Sequence, residues 1–265
     1  MLSAGKQYQN YEYYAKDPIF SVEEGHFIGG LAAELGFKEM NKATFEKLQA
    51  GQNAKGEQII EMAQGKHDAG KDFTFSLDKD LSIFMLSSEQ NKGAMQNALN
   101  AAVDKIIDTA ISEGFLSWRE HKGDQIIDHK ITDKNQIAAY CFTQSLSRDN
   151  DPNVHAHIAF FNQVKTENGD FRAISFDGLF TKGAREFLDN VGKNEFLDTL
   201  QKGINKDISR ELETNKKTGA INLKNYSQED RDYFSKRSQE IEKAKIELQK
   251  EYPNASKGEI LSTAI

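Results

Sequence analysis

Two histidines separated by one residue, His155 and His157, are the side chains of this chain best placed to do chemistry. In a strand, side chains at positions i and i+2 project from the same face, so both imidazoles would point the same way. Val154, Ala156 and Ile158 would then face a core on the other side. Two neutral imidazoles side by side supply half of a divalent-metal site. A pair of hydrogen-bonded structural histidines is the alternative that the motif alone leaves open.

A carboxylate and a group of tyrosines could complete such a site. Asp72 alternates with Phe73 and Phe75 in a predicted strand, which places its carboxylate on the face opposite the two rings. A tyrosine hydroxyl, with an ordinary pKa of about 10, attacks a phosphate only when its proton is removed or stabilised away. Packing and surface roles are more common for neighbouring tyrosines, which here are Tyr8, Tyr11, Tyr13 and Tyr14.

The elements that would position these groups alternate between strand and helix patterns. Period-two patterns and turn residues predict strands at residues 1–7, 71–76, 138–144, 154–163 and 171–175. Helical spacing of apolar residues predicts helices at 42–50, 91–115, 179–212 and 230–252, while the type of the apolar run 81–86 stays open. These elements indicate an α+β fold with an antiparallel sheet of about five strands, flanked by helices.

Composition restricts the compartment and the partners. The chain has 265 residues, no apolar run long enough to cross a bilayer and no signal-peptide pattern, so we expect no membrane insertion. A single cysteine, Cys141, gives no disulfide framework and favours the cytoplasm. The net charge of −7 argues against a broadly basic nucleic-acid-binding surface, although a local basic cleft remains compatible with it.

An ordered series of motifs carries a resemblance to a known family. The series comprises Met1-Leu2-Ser3 with a tandem tyrosine, residues 30–36 and 72–76, Ser147-Arg148, residues 151–157, Asn168-Gly169 with Phe171-Arg172, and residues 234–239. It resembles the relaxase domain of MobF-type (TrwC/TraI-like) conjugative relaxases, which belong to the HUH endonuclease superfamily. The likeness runs through most of the chain and implies an HUH/relaxase-like fold.

The resemblance implies site- and strand-specific nicking of single-stranded DNA at a plasmid transfer origin, followed by strand transfer during conjugation. A tyrosine attacks the scissile phosphodiester and forms a 5′-phosphotyrosyl intermediate with a free 3′-OH. Tyr13 is the expected nucleophile and Tyr14 the next candidate. Asp72 matches the family's aspartate, which either orients an imidazole or assists deprotonation.

The metal site implied by the resemblance departs from the family at one position. His155 and His157 match two ligands, but the third, eleven residues before His155, is Gln144 rather than histidine. An amide oxygen suits Mg²⁺ or Mn²⁺, so we expect retained geometry with reduced affinity. Gln144 is either natural or an engineered replacement.

The resemblance also assigns DNA contacts, domains and partners. The core would span residues 1–225, and a helical segment at 226–265 would close over single-stranded DNA. Accessory relaxosome proteins and a type IV secretion coupling protein would be partners of a monomeric, cytoplasmic protein that can enter the recipient cell with DNA. The expected DNA-binding residues are Arg148, Lys71, Arg172, Lys236 and Arg237.

Two other functions remain compatible with these residues. Gln144, the single clear tyrosine pair and the acidic charge fit a non-catalytic or weakened single-stranded-DNA-binding module. A metal-dependent phosphoesterase that activates water is the third reading. Only the tyrosine enzyme would form a covalent DNA adduct.

Overall fold

A computed structural model describes residues 2–7, 10–60, 68–86, 89–147, 149–203, 211–214 and 220–253. Its strands are β1 Leu2–Lys6, β2 His26–Ile28, β3 Gly70–Ser76, β4 Ser117–Lys122, β5 Gln125–Lys130, β6 Ile137–Leu146, β7 Pro152–Lys165, β8 Phe171–Arg172, β9 Ile174–Ser175, β10 Leu212–Thr214 and β11 Ile221–Leu223. Its helices are α1 Tyr11–Ala15, α2 Leu31–Glu34, α3 Lys42–Gln49, α4 Lys79–Leu86, α5 Glu89–Ser112, α6 Lys182–Gly203, α7 Gln228–Tyr233 and α8 Lys236–Glu251, with 3₁₀ turns at Val22–Glu24 and Lys134–Gln136.

The central sheet is antiparallel and runs in the order β1, β3, β7, β6, β2, with β8 paired to the far end of β7. The predicted α+β class, with a sheet of about five strands flanked by helices, is confirmed. In the register of the sheet, His157 lies between Thr74 of β3 and Phe142 of β6, and Gln144 lies opposite His155. Pairing therefore brings the three predicted strands of the site together.

The sheet separates two apolar layers, because both of its faces are covered. Val154, Ala156 and Ile158 are fully buried on the side that α5 and α6 cover, as the alternation of β7 predicts. On the other side, α1, α2 and α3 cover a smaller aromatic layer that includes Phe45 and Phe142. The two histidines share this second side, so the site lies at the margin of the smaller layer.

Several elements differ from the sequence prediction. The hairpin β4–β5, which turns at Gly123 with φ +60°, was not predicted, because its strands do not alternate apolar and polar residues: Arg119 to Lys122 form a polar run and Ile126 and Ile127 are adjacent. The apolar run at 81–86 is helical, within α4. Leu212, assigned to a helix, begins strand β10 because its backbone pairs with β11. Among the described residues, no helix is both long and apolar enough to span a bilayer.

Cys141 lies in β6 with its side chain in the larger apolar layer, fully out of contact with solvent. Burial, followed by the nearby Asp104 carboxylate, raises the pKa of its thiol well above the usual range. The thiol is therefore a small apolar packing group rather than a nucleophile.

An ion pair ties the C-terminal elements to α4. The Asp80 carboxylate is 1% exposed and accepts from Arg231 Nε at 2.8 Å and Nη2 at 2.9 Å. It also accepts from the backbone N–H of Leu223 at 2.6 Å. One buried carboxylate thus holds both β11 and α7 against α4.

Arg231→Ala is expected to lower the free energy of unfolding by about 2 kcal/mol, because it leaves the Asp80 carboxylate buried without its cation. Arg231 retains some solvent contact, so the loss is smaller than for a fully enclosed pair. Urea titration would measure it. Arg119→Ala is the matched control, since Arg119 pairs with Asp128 and Asp177 on the exposed surface. Equal destabilisation by both variants would contradict this role for Arg231.

Candidate active site

Neighbouring strands bring the His155–His157 pair and Asp72 to one face of the sheet. The strand pairing puts Thr74 opposite His157, and Asp72 follows two residues away on the same face of β3. Phe73 and Phe75 point into the larger apolar layer, as their alternation with Asp72 predicts. The predicted cluster of His155, His157 and Asp72 is therefore assembled by β-sheet register alone.

His157 is held by hydrogen bonds to one of its ring nitrogens. Its Nδ1 lies 2.8 and 3.1 Å from the two carboxylate oxygens of Asp72 and 3.2 Å from the Thr74 hydroxyl. A carboxylate accepts, so Nδ1 carries a hydrogen, and in the neutral form of the ring the lone pair is on Nε2. Nε2 is buried and has no hydrogen-bond partner among the described residues. The arrangement supports the orienting role for Asp72 over the deprotonating role.

His155 has the same tautomer by a different contact. Its Nδ1 donates to the backbone carbonyl oxygen of Asn153 at 2.6 Å, which leaves the Nε2 lone pair available. Burial, followed by the neighbouring His157, lowers the pKa of His155 to about 4. The imidazole is therefore neutral at physiological pH, as a metal ligand must be. The two rings lie 4.9 Å apart between centroids.

Gln144 occupies the third predicted ligand position with its amide already oriented. Its Nε2 donates to the backbone carbonyl oxygen of Tyr13 at 2.7 Å, so its Oε1 remains as an acceptor. Among the described residues, no three His, Cys, Asp or Glu side chains are grouped to hold a metal ion. A metal site here would therefore need the Gln144 amide beside His155 and His157. The buried, unpartnered Nε2 of His157 and the neutral donor set fit a divalent cation.

The structure separates the two tyrosines of the predicted pair. Tyr13 lines the cleft and Tyr14 does not, although the two rings lie at similar centroid distances from that of His157, 5.5 Å for Tyr13 and 5.4 Å for Tyr14. Tyr14 is 1% exposed and stacks on Phe142 at a centroid distance of 4.9 Å within the smaller apolar layer. Tyr11 packs against Phe45, and burial, with nearby Glu23 and Glu12 carboxylates, raises the pKa of Tyr11. Tyr8 lies outside the described residues.

A cleft of about 1200 Å³ connects Tyr13, Gln144, Asp72 and the two histidines. The same cleft is lined by two lysines that the sequence analysis did not single out, Lys6 at the end of β1 and Lys16 just after α1. Both are exposed. The position of Lys16 two residues after the tyrosine pair was a signal that could have been used. The lining also includes the carboxylates of Asp17, Asp72 and Asp149, so the two lysines offset part of the negative charge of the cleft.

The predicted DNA-binding residues are placed less favourably. Lys71 is on the face of β3 opposite Asp72 and pairs with Asp68, so it does not line this cleft. Arg172 pairs with Val164, seven positions along β7 from His157 and roughly 23 Å away at a strand rise of about 3.3 Å. It is therefore not part of this site. Arg148 and the side chains of Lys236 and Arg237 lie outside the described part of the chain.

Comparison with known proteins agrees with this geometry. A sequence model of the TrwC relaxase family matches residues 3–263. The multifunctional conjugation protein TraI of Escherichia coli is 28% identical over 195 residues, covering 72% of this chain and 10% of TraI, so the chain spans about a tenth of that relative.

Two solved structures share the fold. The metal-bound conjugative relaxase TrwC in complex with oriT DNA superposes with a TM-score of 0.76 at 23% identity, over 100% of this chain and 89% of that chain. The metal-free TrwC complex with oriT DNA superposes with a TM-score of 0.75 at 23% identity, over 100% and 89%.

Proposed function

Because the chain belongs to the TrwC relaxase family, we propose that it nicks one strand of DNA at a plasmid transfer origin and retains that strand on a tyrosine during conjugation. The observation that carries this proposal is the position of Tyr13, which lines the cleft together with His155, His157 and Asp72, whereas Tyr14 is buried. The reaction class is transesterification at phosphorus, and Tyr13 is the proposed nucleophile.

In the proposed reaction, the phenolic oxygen of Tyr13 forms a bond to the scissile phosphorus as the bond from phosphorus to the 3′-oxygen breaks. The phenolic proton leaves to solvent and the departing 3′-oxygen takes up a proton, so charge and atoms balance. The product is a 5′-phosphotyrosyl link with a free 3′-OH, and the reverse reaction rejoins the strand. Because one phosphoester replaces another, no external energy source is needed.

We propose that a divalent cation, Mg²⁺ or Mn²⁺, binds His155 and His157 through Nε2 and Gln144 through Oε1. When bound, such a cation stabilises negative charge on the phosphate oxygens and the leaving oxygen. Asp72 and the Asn153 carbonyl fix the tautomers that present both Nε2 atoms. One solved TrwC complex with oriT DNA is metal-bound, which supports a bound metal here but does not identify the ion.

Lys6 and Lys16 are the proposed phosphate contacts in the cleft. Lys16→Ala is expected to weaken single-stranded DNA binding for every sequence, and to reduce the slope of log affinity against log salt by about 0.7. Fluorescence anisotropy over a salt series would measure both. Lys182→Ala, at an exposed site at the start of α6, is the matched control. An unchanged salt slope in Lys16→Ala would remove Lys16 from the binding surface.

The remaining assignments follow from the family. We propose a core at residues 1–225 and a C-terminal segment at 226–265 that covers bound single-stranded DNA, consistent with the attachment of α7 through Arg231. Arg148, Lys236 and Arg237 stay candidate DNA contacts. Accessory relaxosome proteins and a secretion coupling protein are the proposed partners of a cytoplasmic monomer.

A denaturing-gel assay tests the function directly. Labelled single-stranded oligonucleotides from transfer origins would be incubated with Mn²⁺ or Mg²⁺, with EDTA as the control, and a covalent adduct that needs the metal is the expected result. Binding without an adduct or cleavage would favour the DNA-binding module. Cleavage without an adduct would favour the phosphoesterase.

A further inference from the structure

Tyr13 lies on a helix that is too short to be stable by itself. Helix α1 has five residues, Tyr11–Ala15, and a helix of this length is unstable without tertiary contacts. The last four carbonyl groups of any helix also lack partners within the helix. The orientation of the Tyr13 hydroxyl therefore depends on the side chains that bind this segment from outside.

The first of these contacts comes from Gln144. Its Nε2 donates to the carbonyl oxygen of Tyr13 at 2.7 Å and approaches that of Tyr14 at 3.5 Å. Gln144 lies opposite His155 in the sheet, so this amide connects the backbone of Tyr13 to the strands that carry the histidines.

The second contact comes from Asp17, just after the helix. One carboxylate oxygen accepts from the backbone N–H groups of Ile19 and Phe20, each at 2.9 Å. The other accepts from the Ser145 N–H at 2.6 Å, and the Ser145 hydroxyl lies 2.9 Å from both oxygens. With every one of these acceptor sites occupied, Asp17 serves to hold the chain rather than to accept a proton.

The sheet leaves this edge of β6 open for Asp17. Strand β2 pairs only with residues 139–141 of β6, and the pairing with β7 shifts register between Gln144 and Leu146. Bulges of this kind re-aim side chains beside functional sites. At this irregularity, two consecutive residues of β6, Gln144 and Ser145, both bind the segment that carries Tyr13.

We propose that Gln144 and Asp17 are positioning residues, which hold the Tyr13 segment on β6 so that its hydroxyl meets the scissile phosphate in line. Gln144 then has two roles at one amide: its nitrogen fixes the nucleophile, and its oxygen is the proposed metal ligand. The kinetic part of this inference rests on the proposed function, but the structural part does not.

Gln144→Glu separates the two roles. It keeps a side-chain oxygen for the metal, and it removes the N–H group that donates a hydrogen bond to the Tyr13 carbonyl oxygen. We expect its Mn²⁺ affinity, measured by calorimetry, to equal or exceed that of the wild type. We expect its single-turnover adduct rate at saturating Mn²⁺ and DNA to fall at least about tenfold. Full adduct rate in Gln144→Glu would overturn the positioning role and leave Gln144 as a ligand only.

Asp17→Asn tests the second contact in the same way, with DNA affinity expected to hold while the saturated adduct rate falls. Gln125→Glu and Asp124→Asn, both exposed in the β4–β5 hairpin, are the matched controls. Wild-type adduct rates in Asp17→Asn would remove Asp17 from the proposal.

Hydrogen exchange followed by mass spectrometry tests whether Gln144 and Asp17 hold the Tyr13 segment, and it needs no DNA cleavage. Faster exchange in peptides covering residues 10–20, with unchanged exchange in β7 and in residues 137–143 of β6, is expected in both Gln144→Glu and Asp17→Asn; the Ser145 amide, which donates to Asp17, is left out of this control. Unchanged exchange of residues 10–20 would overturn the positioning role of Gln144 and Asp17, whether or not the protein cuts DNA. A wild type that forms no adduct would overturn the proposed function. The exchange of residues 10–20 would still test whether Gln144 and Asp17 hold the Tyr13 segment.

Discussion

Tyr13→Phe is expected to reduce covalent adduct formation below detection, while single-stranded DNA affinity stays within about twofold of the wild type. Phenylalanine keeps the ring that packs edge-on against His157 and removes only the attacking oxygen. The measurement is the denaturing-gel adduct assay with a labelled origin oligonucleotide, alongside anisotropy for binding.

Tyr14→Phe is the control for this result, because Tyr14 is buried against Phe142 and Phe45 rather than lining the cleft. We expect its adduct yield to remain within about threefold of the wild type. The reverse pattern, with adduct in Tyr13→Phe and none in Tyr14→Phe, would make Tyr14 the nucleophile. It would also require α1 to rotate when DNA binds.

His157→Ala is expected to slow metal-dependent cleavage by on the order of 100- to 1000-fold, comparable to the removal of one charge-stabilising group elsewhere. The variant loses the Nε2 ligand and leaves the buried Asp72 carboxylate without the Nδ1–H that it accepts. Cleavage rates over a Mn²⁺ titration would show a higher metal requirement as well as a lower maximum.

Asp72→Asn should fall between the wild type and His157→Ala, with metal affinity reduced by about 10- to 100-fold, since it disturbs only the orientation of the ligand. His129→Ala removes a histidine from the β4–β5 hairpin, where it stacks on Trp118, and should leave cleavage unchanged. Metal-independent cleavage by His157→Ala would refute the ligand assignment.

The part of the site that lies on strands could be predicted from the sequence. The alternation at residues 154–158 and 72–75 determines which side chains share a face of each strand. Only the pairing of the strands in the sheet was left undetermined by the sequence. The same parity places Lys71 with Phe73, so its exclusion from the cleft was also available in the sequence.

The part of the site that depends on tertiary contacts could not be predicted. Tyr13 and Tyr14 are adjacent and chemically equal, and only the packing of α1 against Phe142 buries one and leaves the other in the cleft. The hydrogen bond from the Gln144 amide to the Tyr13 carbonyl oxygen joins residues 131 positions apart, and a single sequence carries no signal for such a contact. The charged β4–β5 hairpin was missed because sequence patterns identify strands by their apolar face.

The burial of Cys141 makes this chain convenient for spectroscopy. The chain has one thiol, which is enclosed in the larger apolar layer, and burial raises its pKa. Maleimides and similar reagents react with the thiolate, so they should not label Cys141. A cysteine introduced on the exposed turn of the β4–β5 hairpin, at Asp124 for example, would be the one labelled position without removal of the native residue. A dye at that position and another on the oligonucleotide would let energy transfer follow, one molecule at a time, how long the cut strand stays attached.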